Sequence, residues 1–270
     1  MNLTNTHRRK TALITGASGG IGYELAKLLA RDGYDLVLVA RNEAKLAQAA
    51  NGLQKNSAIS VKVMAQDLAV PEAPLEIYQE LKREDIEITV LVNNAGFGAY
   101  GLFREMDLEG MLHMIQVNIT SLTHLTKLVL GDMLPKRAGK ILNVASTAAF
   151  QPGPLMAVYY ATKAYVLLLS EALANELRSS GITVTALCPG PTETGFQERA
   201  AMQDSKLLRV VGVMDAETVA KLGYRGLMKG KTIVIPGLKN KILVQSVRLG
   251  PRSLVAEIVR RLHEREKDQR

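Results

Sequence analysis

Tyr159, Tyr160 and Lys163 stand within little more than one helical turn, and Ser146 precedes the first tyrosine by thirteen residues. A phenol, an ammonium and a hydroxyl so spaced make a proton-transfer device. Tyrosine, with an ordinary pKa near ~10, is a poor acid or base at neutral pH, but a nearby positive charge stabilises the phenolate and lowers that value. Residues three or four apart share a helix face, so Lys163 can stand beside either Tyr159 or Tyr160. Periodicity leaves both phenols open. It also leaves open a plainer arrangement, a lysine stem lying over a core aromatic with its ammonium turned to water.

Strands and helices must carry such a group to a cleft. Short apolar runs at 11–15, 36–40, 61–65, 89–93, 140–145, 183–187 and 232–235 read as strands. Between them lie stretches of helical periodicity, for example 20–31, 42–54, 72–81, 106–134 (continuous or broken) and 158–178. Strand and helix in alternation imply right-handed crossovers and a parallel sheet. The expected fold is therefore a single-domain α/β protein over 1–270: a doubly wound, mainly parallel seven-stranded sheet with helices on both faces. Ligands in such sheets sit beyond the carboxyl ends of the strands, where strand order reverses. Residues 10–194 carry the motifs, and 195–214 lie in a long segment expected to be mobile and to act as a substrate lid.

The first strand runs into Thr15-Gly-Ala-Ser-Gly-Gly-Ile-Gly22 and then a helix. Glycines there let the backbone turn tightly and approach a pyrophosphate, whose charge the helix N-terminus favours. The Lys-Ser/Thr ending of a nucleotide triphosphate loop is missing. A rival reading is the G-x-S-x-G elbow of an α/β-hydrolase, with Ser18 as nucleophile. That enzyme needs a later histidine, and His113, His124 and His263 are poorly placed: two within a helical stretch, the third in a charged tail beside Arg261, Glu264 and Arg265.

Composition narrows the class. The chain has one cysteine, Cys188, set among apolar neighbours; it excludes an internal disulfide and fits a reducing compartment. Neither a secretory leader nor a membrane-length apolar run is visible, so a cytoplasmic protein is expected. The formal net charge of +8 is concentrated at one end: residues 221–270 hold thirteen Lys/Arg against four Asp/Glu, and the remainder 21 against 22. Aromatic residues make up 4% and are not interleaved with the basic ones, which argues against nucleic acid. In the basic tail, 237–270, Ile242, Leu243 and Val247, then Leu254, Val255, Ile258, Val259 and Leu262, recur at helical spacing on either side of Gly250-Pro251. Covering the pocket or a partner subunit is favoured for it over peripheral contact with a membrane.

Taken in order, these motifs resemble those of the short-chain dehydrogenase/reductase family over about residues 10–194. The glycine run is similar to its T-G-x-x-x-G-x-G, Asn93-Asn94-Ala95-Gly96 to its N-N-A-G, and Tyr159 to Lys163 to its Y-x-x-x-K. Ser146 stands at the family's distance before the tyrosine, and Pro189 to Thr194 resembles its P-G-x-x-x-T. The resemblance implies a Rossmann-type fold and resolves the phenol in favour of Tyr159, as general acid or base. Ser146 would bind the substrate oxygen, Lys163 the nicotinamide ribose, and Asn118 would support a proton relay.

The cofactor would be held by Gly16, Ser18, Gly20, Ile21 and Gly22, by Asp67 at the adenine, and by Asn93, Ala95 and Gly96 along the adenosine. Pro189, Gly190, Thr192 and Thr194 would face the carboxamide. Ala40 stands where an NAD-selecting carboxylate is expected, followed by Arg41 and Asn42, which points to NADP(H). Phe97, Tyr100, Phe150, Pro152, Leu155, Met156, Phe196, Met202, Leu207, Leu208 and Val211 suggest an apolar ketone, aldehyde or secondary alcohol as small-molecule substrate. No metal is expected, and the resemblance implies a homodimer or homotetramer. The alternative to a carbonyl reductase or alcohol dehydrogenase is an NADP-sensing protein without chemistry.

Overall fold

Leu13, Ile14, Val37, Leu38, Leu91 and Val92 are each no more than 1% exposed. Successive strand residues point to opposite faces, so pairs like these require a sheet covered on both sides, which is why the strands read as unbroken apolar runs. The computed structural model describes residues 9–196 and 212–264. Its strands are β1 (Thr11–Thr15), β2 (Asp35–Ala40), β3 (Val61–Ala65), β4 (Ile88–Asn93), β5 (Gly139–Val144), β6 (Ile182–Leu187), β7 (Thr192–Glu193), β8 (Met214–Asp215) and β9 (Ile233–Val234). The helices are α1 (Gly20–Arg31), α2 (Glu43–Lys55), α3 (Ala73–Arg83), α4 (Leu108–Ile115), α5 (Leu122–Lys136), α6 (Ala157–Glu176), α7 (Ala216–Met228), α8 (Leu238–Ser246) and α9 (Arg252–His263).

Seven strands form one parallel sheet in the order β3-β2-β1-β4-β5-β6-β9. The chain runs outward from β1 to β3, then crosses back to β4 on the other side. Carboxyl ends of β1 and β4 therefore open a crevice between them. On one face Ile14, Leu38 and Val92 pack against α1, α2 and α7 through Leu25, Leu46 and Val219. On the other, Leu13, Leu91 and Ile141 meet α3 and α5 through Ile77 and Leu125. A fully buried leucine of this kind stabilises the fold by ~1.5–3 kcal/mol.

All seven expected strands are in the sheet. Not anticipated was the short parallel pair β7-β8, which joins the loop after β6 to the approach of α7. The stretch expected at 106–134 is broken: a π-helical turn, Gln116–Ser121, separates α4 from α5. In the tail Gly250-Pro251 does divide two helices. Asn240, Val244, Val255, Val259 and His263 face inward and are buried, whereas Leu238, Ile242, Leu249, Leu254 and Ile258 are exposed. Among the described residues no helix is long and apolar enough to cross a membrane.

Candidate active site

A cavity of about 610 Å³ lies across the carboxyl ends of the strands. At β1 the chain leaves the sheet through Gly16, φ +64, whose N–H donates to Val39 O at 2.8 Å. A side chain there would be strained by that φ and would reach within 2.8 Å of Asn94 Nδ2. Gly20, φ +53, is equally restricted, since a Cβ would lie 2.9 Å from Thr194 Cγ2. The helix α1 begins at Gly20 with no side-chain cap, so its first N–H groups are left for the cavity that Gly19, Gly20 and Ile21 line. Gly16 and Ser18 line it too. Gly22 does not: its place is inside α1, where a Cβ would collide with Gly16 O and the Asn94 amide.

The two asparagines after β4 part company. Asn94 Nδ2 donates to Thr15 O and Gly16 O at 3.0 and 3.1 Å, clipping the glycine loop to β4. Asn93, expected on the cofactor, instead points into the core, donating at 2.9 Å to both Thr126 Oγ1 and Asn143 Oδ1. The reason is alternation: neighbours along an extended strand face opposite ways. Asn94, Ala95 and Gly96 line the cavity.

At the other end Arg41, Asn42 and Asp67 line the cavity beyond β2 and β3, together with Lys45, which the sequence reading missed. Arg41 Nη1 stands 3.9 Å from Asp67 Oδ2, with side chains 57% and 41% exposed. Asn42 Oδ1 accepts the Lys45 N–H at 2.9 Å and caps α2. That cap fixes the first turn of α2, from which Lys45 lines the same cavity as Arg41.

The chemical end is built from β5 and α6. Ser146 Oγ accepts the Ala148 N–H at 3.1 Å, capping a 3₁₀ turn at Thr147–Phe150. Tyr159 and Lys163 are 9% and 6% exposed. Lys163 Nζ donates to Val144 O at 2.8 Å and lies 5.9 Å from the Tyr159 ring centre. Burial pushes the Tyr159 phenol up to about 12, against a hydrogen bond from Ser146 that pulls it down. Burial likewise lowers Lys163 to about 8. The phenol is thus raised where a depression by the ammonium was expected, because desolvation outweighs the Ser146 hydrogen bond. Asn118 lies outside the cavity lining. Its Oδ1 accepts the Phe97 N–H, and its Nδ2 donates to Phe97 O and Thr162 Oγ1 at 2.9 and 3.0 Å.

Pro189, Gly190, Thr192 and Thr194 line the cavity beyond β6, and Asn240 of α8 packs under Gly190, leaving no room there for a Cβ. Of the apolar residues expected at the substrate, Phe97, Met156 and Phe196 line the cavity, whereas Tyr100, Phe150, Pro152 and Leu155 do not. Met202, Leu207, Leu208 and Val211, like most of the lid expected at 195–214, lie outside the described residues. Tyr160 joins the lining, and Cys188 is buried. His263, read as part of a charged tail, is instead fully buried against Tyr160, a contact made across 103 positions that no local pattern announces.

Residues 10–205 match the family described as short chain dehydrogenase. The chain belongs to the short-chain dehydrogenase family. An uncharacterized oxidoreductase of Staphylococcus saprophyticus is 35% identical over 185 residues, covering 68% of this chain and 79% of that one. A short-chain dehydrogenase from Sphingobium yanoikuyae, solved in complex with NADPH, is 36% identical with a TM-score of 0.80, over 89% of this chain and 94% of that one. The bulky-bulky ketone specific alcohol dehydrogenase of Comamonas testosteroni is 31% identical with a TM-score of 0.75, over 97% and 99%. As a short-chain dehydrogenase, the protein is an oxidoreductase, and the Ser18 hydrolase alternative falls. Its histidines agree: His113 pairs with Glu109 and His263 with Tyr160 and Pro154, not with Ser18.

A dinucleotide fits the residues present. The glycine loop leaves bare backbone where a Cβ would fill the space, the first turn of α1 offers uncapped donors, and Arg41 and Lys45 supply positive charge at one end. Tyr159, Lys163 and Ser146 stand at the other.

Proposed function

We propose that this short-chain dehydrogenase is an NADPH-dependent carbonyl reductase acting on bulky, apolar ketones or aldehydes. The observation that carries this reading is the convergence of Ser146, Tyr159 and Lys163 on one cavity whose far end holds Arg41 and Lys45 and no carboxylate at Ala40. Arg41 and Lys45 would meet the 2′-phosphate, Asn42 through its free amide nitrogen, and Ser18 and the first turn of α1 the diphosphate. Asp67 would bind at the adenine and Ala95 and Gly96 along the adenosine. Thr192, Thr194 and the backbone at Pro189 and Gly190 would hold the carboxamide. Asn93, Gly22 and Asn118 then act from behind, by packing and by clamping Phe97.

When bound, the reduced nicotinamide supplies a hydride to the carbonyl carbon. Tyr159 donates its proton to the carbonyl oxygen as charge develops there, and Ser146 hydrogen-bonds the same oxygen. Burial keeps the Tyr159 phenol protonated at neutral pH, so its proton is in place for transfer. The Lys163 ammonium is near enough to stabilise the phenolate once the proton has gone. Phe97, Met156 and Phe196 would exclude water and receive an apolar substrate, in keeping with the bulky-ketone relative.

NADPH oxidation against a panel of carbonyl compounds tests the reading, with Tyr159→Phe and Tyr160→Phe in parallel. The first variant should lose ~10²–10⁴-fold in rate and the second far less. Activity that survives Tyr159→Phe but not Tyr160→Phe would overturn the assignment. Binding of NADPH without turnover of any carbonyl would favour a cofactor sensor instead.

A further inference from the structure

His263 ends α9 with its ring fully buried. Its Nδ1 lies 2.8 Å from the main-chain oxygen of Pro154 and its Nε2 2.9 Å from the Tyr160 hydroxyl. A carbonyl can only accept, so Nδ1 carries a hydrogen. Burial lowers the pKa of the ring and favours its neutral form, which leaves Nε2 bare as an acceptor. Tyr160 is therefore the donor, and the Gln151 side chain hydrogen-bonds its oxygen as well. The single hydrogen of this phenol is committed to His263, which does not line the cavity, although Tyr160 does.

The same histidine grips a strained turn. Leu155 has φ +68, a left-handed conformation that costs a leucine of order 1–3 kcal/mol and persists only where neighbours enforce it. On one side Leu155 O accepts the Gly101 N–H at 2.8 Å; on the other, Pro154 O is held by His263. Met156, the next residue, lines the cavity, and Tyr160 lies so close over Gly153 that a Cβ there would overlap its ring. Tyr160 meets Tyr159 edge-on, with ring centres 6.1 Å apart at 77°. Val255 and Val259 of α9 complete the packing behind Met156 and the two tyrosines. No described α9 residue lines the cavity itself.

We propose that His263 is a positioning residue of the substrate site: by holding Pro154 O and the Tyr160 hydroxyl together, it fixes the Met156–Tyr160 wall and leaves Tyr159 as the one phenol free to donate a proton. The idea deepens the carbonyl-reductase reading, on which its substrate consequence rests. The C-terminal helix then sets the width of the apolar end of the site without touching the substrate.

The test uses the full chain as wild type, His263→Leu, His263→Gln and Tyr160→Phe. In ¹⁵N NMR the wild-type His263 ring should be neutral with its hydrogen on Nδ1; a hydrogen on Nε2 would overturn the proposal. Amide exchange over 153–160 should quicken by roughly tenfold in His263→Leu. The kcat/KM ratio of a diaryl ketone to a small methyl ketone should fall about tenfold in the same variant, chiefly through KM, with NADPH affinity within about twofold of wild type. Tyr160→Phe, which keeps the ring, should shift the ratio the same way by less, and His263→Gln should recover part of it. An unchanged ratio and unchanged exchange in a folded His263→Leu protein would overturn the proposal. Should the wild type reduce no ketone or aldehyde at all, the reductase reading falls, while the tautomer and the exchange rates still decide whether His263 holds the wall.

Discussion

Lys163 Nζ donates to the main-chain oxygen of Val144 across 2.8 Å, tying α6 to the strand end from which Ser146 follows two residues later. One side chain thereby joins the two elements that carry Tyr159 and Ser146. Replacing it by methionine keeps the bulk and removes the ammonium. We expect kcat/KM for carbonyl reduction to fall by ~10²–10⁴-fold. Since a buried charge costs desolvation, the melting temperature should hold or rise. Initial rates and a thermal melt on the same preparation check both halves.

Arg41 is largely exposed and only 3.9 Å from Asp67, an ion pair that adds little to stability. Arg41→Ala should accordingly leave the melt unchanged. On the proposed reading it should weaken NADPH by roughly 10- to 100-fold and NADH far less, the worth of a charge-assisted contact to phosphate. Equal loss of the two cofactors in a fluorescence titration would count against phosphate recognition.

Thr15 Oγ1 accepts the N–H groups of both Asn94 and Ala95 at 3.0 Å. Thr15→Val is nearly isosteric and strips both of their partner. We expect a loss of about 1–3 kcal/mol in urea denaturation, with weaker dinucleotide binding because the glycine loop is no longer clipped to β4.

Individual residues show what a linear reading can and cannot reach. Helical spacing made Lys163 legible as a neighbour of Tyr159 or Tyr160, with only the family resemblance choosing between them, and the strand runs were legible because a doubly covered sheet demands unbroken apolar sequence. Choosing between Asn93 and Asn94 needed the actual strand end, since only the pleat decides which amide faces the crevice. Lys45 was hidden because nothing local shows that the first turn of α2 lines the cavity. His263 was rightly set apart from Ser18, but its charged neighbours masked a buried ring that meets Tyr160 from 103 residues away.

Acid should loosen that contact. Burial holds His263 below its ordinary pKa of ~6.5, so between the two values the folded protein binds fewer protons than the unfolded chain. The resulting contribution to stability is complete above about pH 6.5 and is lost as pH falls through the lowered value. Melting temperatures between about pH 7 and pH 5 should decline more steeply for the wild type than for His263→Leu. Parallel slopes would show that another group governs this range.

The π-helical turn at Gln116–Ser121 means that the rod from Leu108 to Lys136 carries one residue more than a regular helix of its length would use. That surplus is a hidden insertion. Deleting one residue there would let the rod close into ordinary α-helical register and gain local regularity. The same deletion would swing Asn118 about a quarter turn or more around the axis, away from Phe97 and Thr162. The chain thus keeps a less regular helix in exchange for a fixed bearing on its neighbours, and variation in the length of this segment should be poorly tolerated even where variation in its sequence is not.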